Sequence, residues 1–312
     1  MTPDPARERS LGGLYGVSAY LLWGLLPLYF LLLVPTGPFE LVAWRVALSL
    51  AFCALLIAVT RRWSMLWAIM RQPRLMALTA LAGVLIFVNW QVFIIGALTN
   101  HVIETSLGYF INPIFTVLLG VLVLHEKLRI TQWIAIGIVA LAVVVIVVGY
   151  GTVPWIALLL TVSFGCYGFV KKKIGPSVDA VSGLTLETMW LMPVAIVMLA
   201  VVAATGGWTM GQYGWEHAAL LSLAGVVTAV PLLLFASATR RVPLSVIGLL
   251  QFITPIMQFL TGWLLLGEPM PLERWIGFGL VWLALTLLTI DSFAAGQRSR
   301  RRPAAAPVGE VI

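Results

Sequence analysis

Apolar residues run along this chain in long blocks, with polar residues confined to short gaps between them. The blocks fall near residues 12–33, 40–60, 75–97, 103–124, 132–149, 153–170, 182–204, 218–238, 243–266 and 274–293. A helix that crosses a bilayer needs about 20 mostly apolar residues, so the pattern predicts ten spans. Only Tyr150 to Thr152 separate the fifth span from the sixth. Composition sharpens this picture. Of 312 residues, 61% are hydrophobic and 10% are charged, against roughly 25% charged in soluble domains. The mean hydropathy is +1.03. So few charges cannot cover so much apolar surface in water, which excludes a soluble enzyme, a secreted disulfide scaffold and a disordered chain. The expected class is an all-α polytopic membrane protein. Its first apolar stretch, with no clear small-x-small cleavage site, reads as a retained helix. Cys53 and Cys166 lie inside apolar runs and read as small buried residues, not as a disulfide or a metal pair.

The basic residues orient the spans. Arg7 and Arg9 precede span 1, and Arg61, Arg62, Arg71 and Arg74 follow span 2. Lys127 and Arg129 follow span 4, Lys171, Lys172 and Lys173 follow span 6, and Arg240 and Arg241 follow span 8. Arg298, Arg300, Arg301 and Arg302 follow span 10. In a ten-span topology all of these fall on one side. The exceptions are Arg274, at the edge of the loop after span 9, and Arg45, within span 2. The positive-inside rule then places both termini in the cytoplasm. The net charge of +7 follows from these loops, and no nucleic-acid partner is expected. The C-terminal arginines fit topology and contact with anionic lipid.

The chain also repeats itself. Leu81-Ala82-Gly83-Val84 recurs as Leu223-Ala224-Gly225-Val226, an offset of 142 residues. At the same offset Phe110-Ile111-Asn112-Pro113-Ile114 recurs as Phe252-Ile253-Thr254-Pro255-Ile256. Gly120 maps to Gly262, Glu126 to Glu268, Trp133 to Trp275 and Gly137 to Gly279. The unit is five spans. Five is odd, so the second copy must enter from the opposite side, giving an inverted repeat of the kind found in transporters. The expected organisation is a tail at 1–11, repeats at 12–149 and 153–293, and a basic tail at 294–312.

With ten spans, a five-plus-five duplication and a proline-to-glutamate spacing shared by both halves, the chain resembles the EamA-type drug/metabolite transporter superfamily. The segments NWQVFIIGALTNH (Asn89 to His101), ETSLGYFINP (Glu104 to Pro113), YGFVKKKI (Tyr167 to Ile174) and LETMWLMP (Leu186 to Pro193) resemble the RarD-type subgroup, whose name is tied to chloramphenicol sensitivity. The likeness runs from about residue 12 to 293. It implies a bacterial inner-membrane carrier that exports small metabolites or drugs, and it leaves the substrate open.

An ionisable group at membrane depth costs about 2.5 to 3.5 kcal/mol on insertion scales, so each needs a partner, a cavity or the interface. Arg45 lies about five residues into span 2, roughly 8 Å at 1.5 Å per residue, and Glu104 opens span 4 from the same side. These two are expected either to form an outer pair that closes a gate or meets substrate, or to be structural. Glu187 occupies the repeat position of Arg45. It is a candidate for proton coupling, as is Glu104, or else a partner of Lys171 to Lys173. Glu104, Gly108 and Asn112 share one face of span 4, and Gln251, Thr254, Gln258 and Thr261 one face of span 9. These polar faces are expected to line a cavity or to join helices. Pro113 and Pro255 are expected to kink spans 4 and 9. Tyr20 and Trp23 of span 1, Trp90 of span 3, Tyr109 and Tyr167 add aromatic bodies with polar tips, and Asn89 of span 3 adds an amide.

The substrate-binding candidates are therefore Tyr20, Trp23, Arg45, Asn89, Trp90, Glu104, Tyr109, Asn112, Gln251 and Gln258. Trp63, Trp67, Trp155 and Trp208 fit an interfacial belt, Asp291 fits the interface at the cytoplasmic end of span 10, and His101 fits the surface. Glu126 and Glu268 are each expected to anchor the helix that follows. The sequence contains no phosphate-binding G-x-x-x-x-G-K-[ST] loop, no H-E-x-x-H motif and no G-x-S-x-G elbow. No catalytic residue, metal or cofactor is expected, and no selectivity filter is visible. A carrier working by alternating access is the first reading. A proton-independent metabolite or amino-acid facilitator with no drug role is the second. The partners expected are a small solute and lipid, with a homodimer left open.

Overall fold

The computed structural model describes residues 5–125, 128–175, 177–239 and 241–301. Glu126, Lys127, Arg240 and Arg302 lie outside the described residues, so the anchoring expected of Glu126 has no structural counterpart. Span 1 is built from α1 (Pro5–Gly24) and α2 (Leu26–Leu31), and span 2 from α3 (Pro38–Thr60). A short helix α4 (Trp63–Met70) follows, where the sequence reads only as a basic loop. Then come α5 (Pro73–Leu98), α6 (Val102–Leu124), α7 (Ile130–Tyr150), α8 (Trp155–Ile174) and α9 (Ala180–Thr205). Span 8 is α10 (Gly214–Ser222) with α11 (Ala224–Thr239). Span 9 is α12 (Leu244–Leu250), α13 (Ile253–Leu260) and a π-turn (Thr261–Leu265), and span 10 opens α14 (Leu272–Arg301). Among the described residues, ten helical segments are long and apolar enough to cross a bilayer, from Glu8–Leu31 to Leu272–Asp291. Their limits lie within a few residues of the apolar blocks. The chain is an all-α membrane protein of two inverted five-helix repeats.

Local chemistry sets the helix ends. Pro38 and Pro73 sit in the first turns of α3 and α5, where a missing N–H costs nothing. Asp179 caps α9 by accepting a hydrogen bond from Ser182 N at 3.3 Å. α3 stops at Arg61, which adopts a left-handed conformation with φ of 54°. Span 9 is interrupted at Gln251 and Phe252, and Pro255 then falls in the first turn of α13. α6 continues through Pro113.

Contacts divide the chain into two units, residues 1–112 with 154–270 and residues 113–153 with 271–312. In the first, α3 packs on α9, α1 on α11 and α5 on α8. α11 also packs on α3, and α5 on α9. Shifting each element by the repeat offset turns the first of these contacts into the second, so the packing follows the duplication. The repeated Leu-Ala-Gly-Val segments explain the crossings. A methyl group on Gly225 would collide with the backbone of Leu48 and Ser49 in α3, and one on Gly83 would press on Glu187 in α9. Only glycine lets these backbones approach so closely. In the second unit α7 lies along α14. There Gly149 faces Glu273, Gly277 faces Ile146, and Arg129 forms an ion pair with Asp291.

Candidate functional site

The first unit contains an unusual buried cation. Arg45 lies two turns into α3 and is 4% exposed. Its Nε donates to Thr228 Oγ1 of α11 at 2.8 Å. That hydroxyl gives its own proton to Ala224 O at 2.7 Å, which leaves a lone pair for the guanidinium. Gly225 brings α11 close enough for this contact. The guanidinium lies 4.4 Å from the ring centroid of Trp90 and 5.6 Å from that of Phe30, within cation–π range. Arg45 Nη1 is buried and has no hydrogen-bond partner among the described residues.

From this arginine a chain of rings crosses the unit. Phe30 meets Phe93 at 6.0 Å, Phe93 meets Tyr109 at 5.8 Å, and Tyr109 meets Phe164 at 5.7 Å. Phe164 in turn meets Tyr167 at 6.1 Å. Tyr109 donates its hydroxyl to Asn89 Oδ1 at 3.2 Å, while Asn89 Nδ2 reaches Ser163 Oγ at 3.3 Å and Leu160 O at 3.4 Å. The chain ends on a second charge. Glu187 is fully buried and accepts from Lys171 Nζ at 2.7 Å and from Tyr167 OH at 3.1 Å. Two opposite charges at one repeat position thus stand at the two ends of one aromatic strip.

The structure brings together Arg45, Asn89, Trp90 and Tyr109. It does not join Arg45 to Glu104. The Glu104 carboxylate accepts from Ile156 N at 2.9 Å and Ala157 N at 3.4 Å, the first amides of α8. Pro154 stands before that helix and offers no side-chain cap, so the glutamate supplies the missing acceptor. Gly108, one turn on, lies against the backbone of Ala157, and Thr161 donates to Gly108 O at 2.9 Å. Glu268 corrects a second expectation. It does not anchor the following helix but reaches back to α6, where it accepts from Ile103 N at 2.9 Å and from Val102 N.

The remaining candidates stand elsewhere. Tyr20 and Trp23 meet at 5.4 Å and pack on Phe235 of α11 at 6.0 and 5.7 Å. Tyr20 O also accepts from Thr254 at 2.8 Å. Gln258 is buried one turn beyond Thr254, and Gln251 sits in the break of span 9. Asn112 is half-buried at the end of this unit. Cys53 is buried but Cys166 is only half-buried, and both are free thiols.

A polar cluster on segments 33–44 and 209–217 escaped the sequence reading. Glu40 accepts from Thr209 N at 2.8 Å, Thr209 Oγ1 at 3.0 Å and Trp44 Nε1 at 3.2 Å. Thr36 Oγ1 lies 2.7 Å from Thr209 Oγ1 and 3.0 Å from His217 Nε2, and that nitrogen is 3.1 Å from Leu33 O. The available signals were Glu40 at the mouth of span 2 and His217 among apolar residues.

With this geometry in hand, the comparisons with known proteins are specific. The EamA-like transporter family matches twice, over residues 10–148 and 152–290. The chain is 46% identical to Protein RarD of Streptomyces exfoliatus, covering 96% of this chain and 95% of that one. It is 40% identical to an uncharacterized transporter of Vibrio cholerae, covering 96% and 99%. A protein of known crystal structure shares the fold with a TM-score of 0.55 at 19% identity, covering 90% of this chain and 97% of that one.

Proposed function

Because the chain belongs to the EamA-like transporter family, and is a multi-pass bacterial membrane transporter, we propose that it exports small metabolites or drugs across the inner membrane by alternating access. The observation that carries this reading is the aromatic strip between Arg45 and Glu187. The phenylalanine rings offer a solute apolar contact, and the tips of Tyr109 and Tyr167 offer hydrogen bonds. Arg45, Asn89, Trp90 and Tyr109 are the proposed substrate contacts. Tyr20, Trp23, Asn112, Gln251 and Gln258 line the further route. The two ends of the strip carry equivalent positions of an inverted repeat, so exchanging the conformations of the repeats exchanges which end is open. The basic ladder supports cytoplasmic termini. It assigns the Thr36–Thr209–His217 cluster to the periplasmic end and the Lys171–Glu187 pair to the cytoplasmic end.

Glu187 is the proposed proton-coupling group. Its ion pair has a lysine that is 28% exposed, so water reaches one partner. Glu104 is the weaker candidate because backbone amides hold its carboxylate.

The test is transport by the purified protein in liposomes, with radiolabelled chloramphenicol and a panel of amino acids, with and without an imposed pH gradient. Accumulation that follows the gradient and is lost in Glu187→Gln supports proton-coupled export. Equilibration that ignores the gradient favours the facilitator. Failure of every solute to move overturns the carrier reading.

A further inference from the structure

Arg45 differs from its repeat equivalent in one respect. Glu187 has a resident counter-ion, since Lys171 Nζ lies 2.7 Å away. Arg45 has none, as no acidic side chain among the described residues lies within 4.0 Å of it. Its surroundings are the Thr228 hydroxyl, the faces of Trp90 and Phe30, and the nearby phenols of Tyr29 and Tyr109. Hydroxyl dipoles and ring quadrupoles soften the charge without cancelling it. Nη1 is buried and unused, in a residue that is 4% exposed. The carboxylate that the sequence suggested as its partner, Glu104, is held by the amides of α8.

Resting on the carrier reading above, we infer that the transported solute is an organic anion. Its carboxylate completes the hydrogen bonding of Arg45, and its apolar or aromatic body lies along the strip that begins at Phe30 and Phe93. A guanidinium edge matches a carboxylate in geometry and charge. Thr228 already fixes the Nε side, so the ligand takes the Nη side. Trp90 holds one face of the guanidinium and prevents its rotation. A neutral carbonyl would meet the same N–H and still leave the buried charge uncompensated, so the site selects acid over amide.

The experiment compares phenylacetate with phenylacetamide, which share a ring and differ in charge. Thermal unfolding of the purified full-length protein is followed against the concentration of each, with sodium chloride at equal ionic strength as the inorganic control. The midpoint is expected to rise with phenylacetate and to stay level with the amide and with chloride. In Arg45→Gln the concentration giving half the effect should increase by about tenfold or more, the loss expected for a charge-assisted hydrogen bond. Equal responses to acid and amide overturn the inference, as does a chloride response that matches the acid. A response to acid unchanged in Arg45→Gln also overturns it. The acid–amide comparison on the unaltered protein decides the matter even where Arg45→Gln does not fold. Liposome efflux of labelled phenylacetate separates the two levels of the argument. Acid that binds while no solute moves refutes the carrier and leaves the anion site standing. Amino acids or chloramphenicol that move while the acid does not bind refute the anion and leave the carrier standing.

Discussion

At the scale of single residues, the decisive facts are which buried polar groups hold one another. Among the described residues, Thr228 is the one side chain that accepts a hydrogen bond from Arg45. Thr228→Val preserves the shape and removes the acceptor, leaving Nε buried and unsatisfied. The expected loss is about 1 to 3 kcal/mol, read as a lower unfolding midpoint, and Thr228→Ser should restore most of it. Glu104 makes a contrasting case. Its carboxylate caps α8, and removing a cap costs about 0.5 to 2 kcal/mol. Glu104→Ala should therefore lower the unfolding midpoint. Glu104→Gln keeps an acceptor oxygen, so it should change the midpoint little and leave any response of transport to a pH gradient intact. A Glu104→Gln protein that transports but has lost that response would move the coupling role from Glu187 to Glu104.

At the scale of elements, helix crossings depend on whether a side chain fits between two backbones. Gly225 has no room, since a methyl group there would run into the carbonyl of Leu48. Gly83 is tight, with the Glu187 carbonyl 3.1 Å from the same hypothetical carbon, and Gly137 has nothing within 4 Å. Gly225→Ala should thus cost about 1 to 3 kcal/mol through overpacking, Gly83→Ala less, and Gly137→Ala nothing measurable. Folded yield and unfolding midpoints of the three variants check the order. This is also where the sequence was most and least informative. Span number and limits were legible because hydrocarbon demands about 20 apolar residues per crossing. The Leu-Ala-Gly-Val repeat was visible too, and its glycines mark real crossings. The breaks at Leu25 and Leu223 were not legible, nor was α4. Inside a bilayer, apolar composition is the same on either side of a helix break. The partners of Arg45 and Glu104 were hidden for another reason. Equal depth and opposite charge suggested a pair, but the amides of α8 offered Glu104 a closer set of donors. Thr228, 183 residues from Arg45, had no signal beyond the repeat itself.

At the scale of the whole transporter, alternating access requires that one end open when the other closes. Under the proposed alternating-access cycle, the Thr36–Thr209 contact offers a way to hold its end of the unit shut. The two hydroxyl oxygens lie 2.7 Å apart, near the separation of about 2.05 Å between disulfide sulfurs. Replacing both threonines by cysteine, with Cys53 and Cys166 changed to serine, should place two thiols within bonding reach. Oxidation is then expected to join segments 33–44 and 209–217 and to stop liposome transport, and dithiothreitol should restore it. Each single-cysteine variant should be indifferent to oxidant. The lock must also leave the Lys171–Glu187 end free to move. A third cysteine at Lys172, just beside the Glu187 pair and exposed, should remain reactive to maleimide in the oxidised protein. Transport that continues at full rate with the disulfide quantitatively formed would mean that this cluster is a static strut, and that the solute does not pass between these segments.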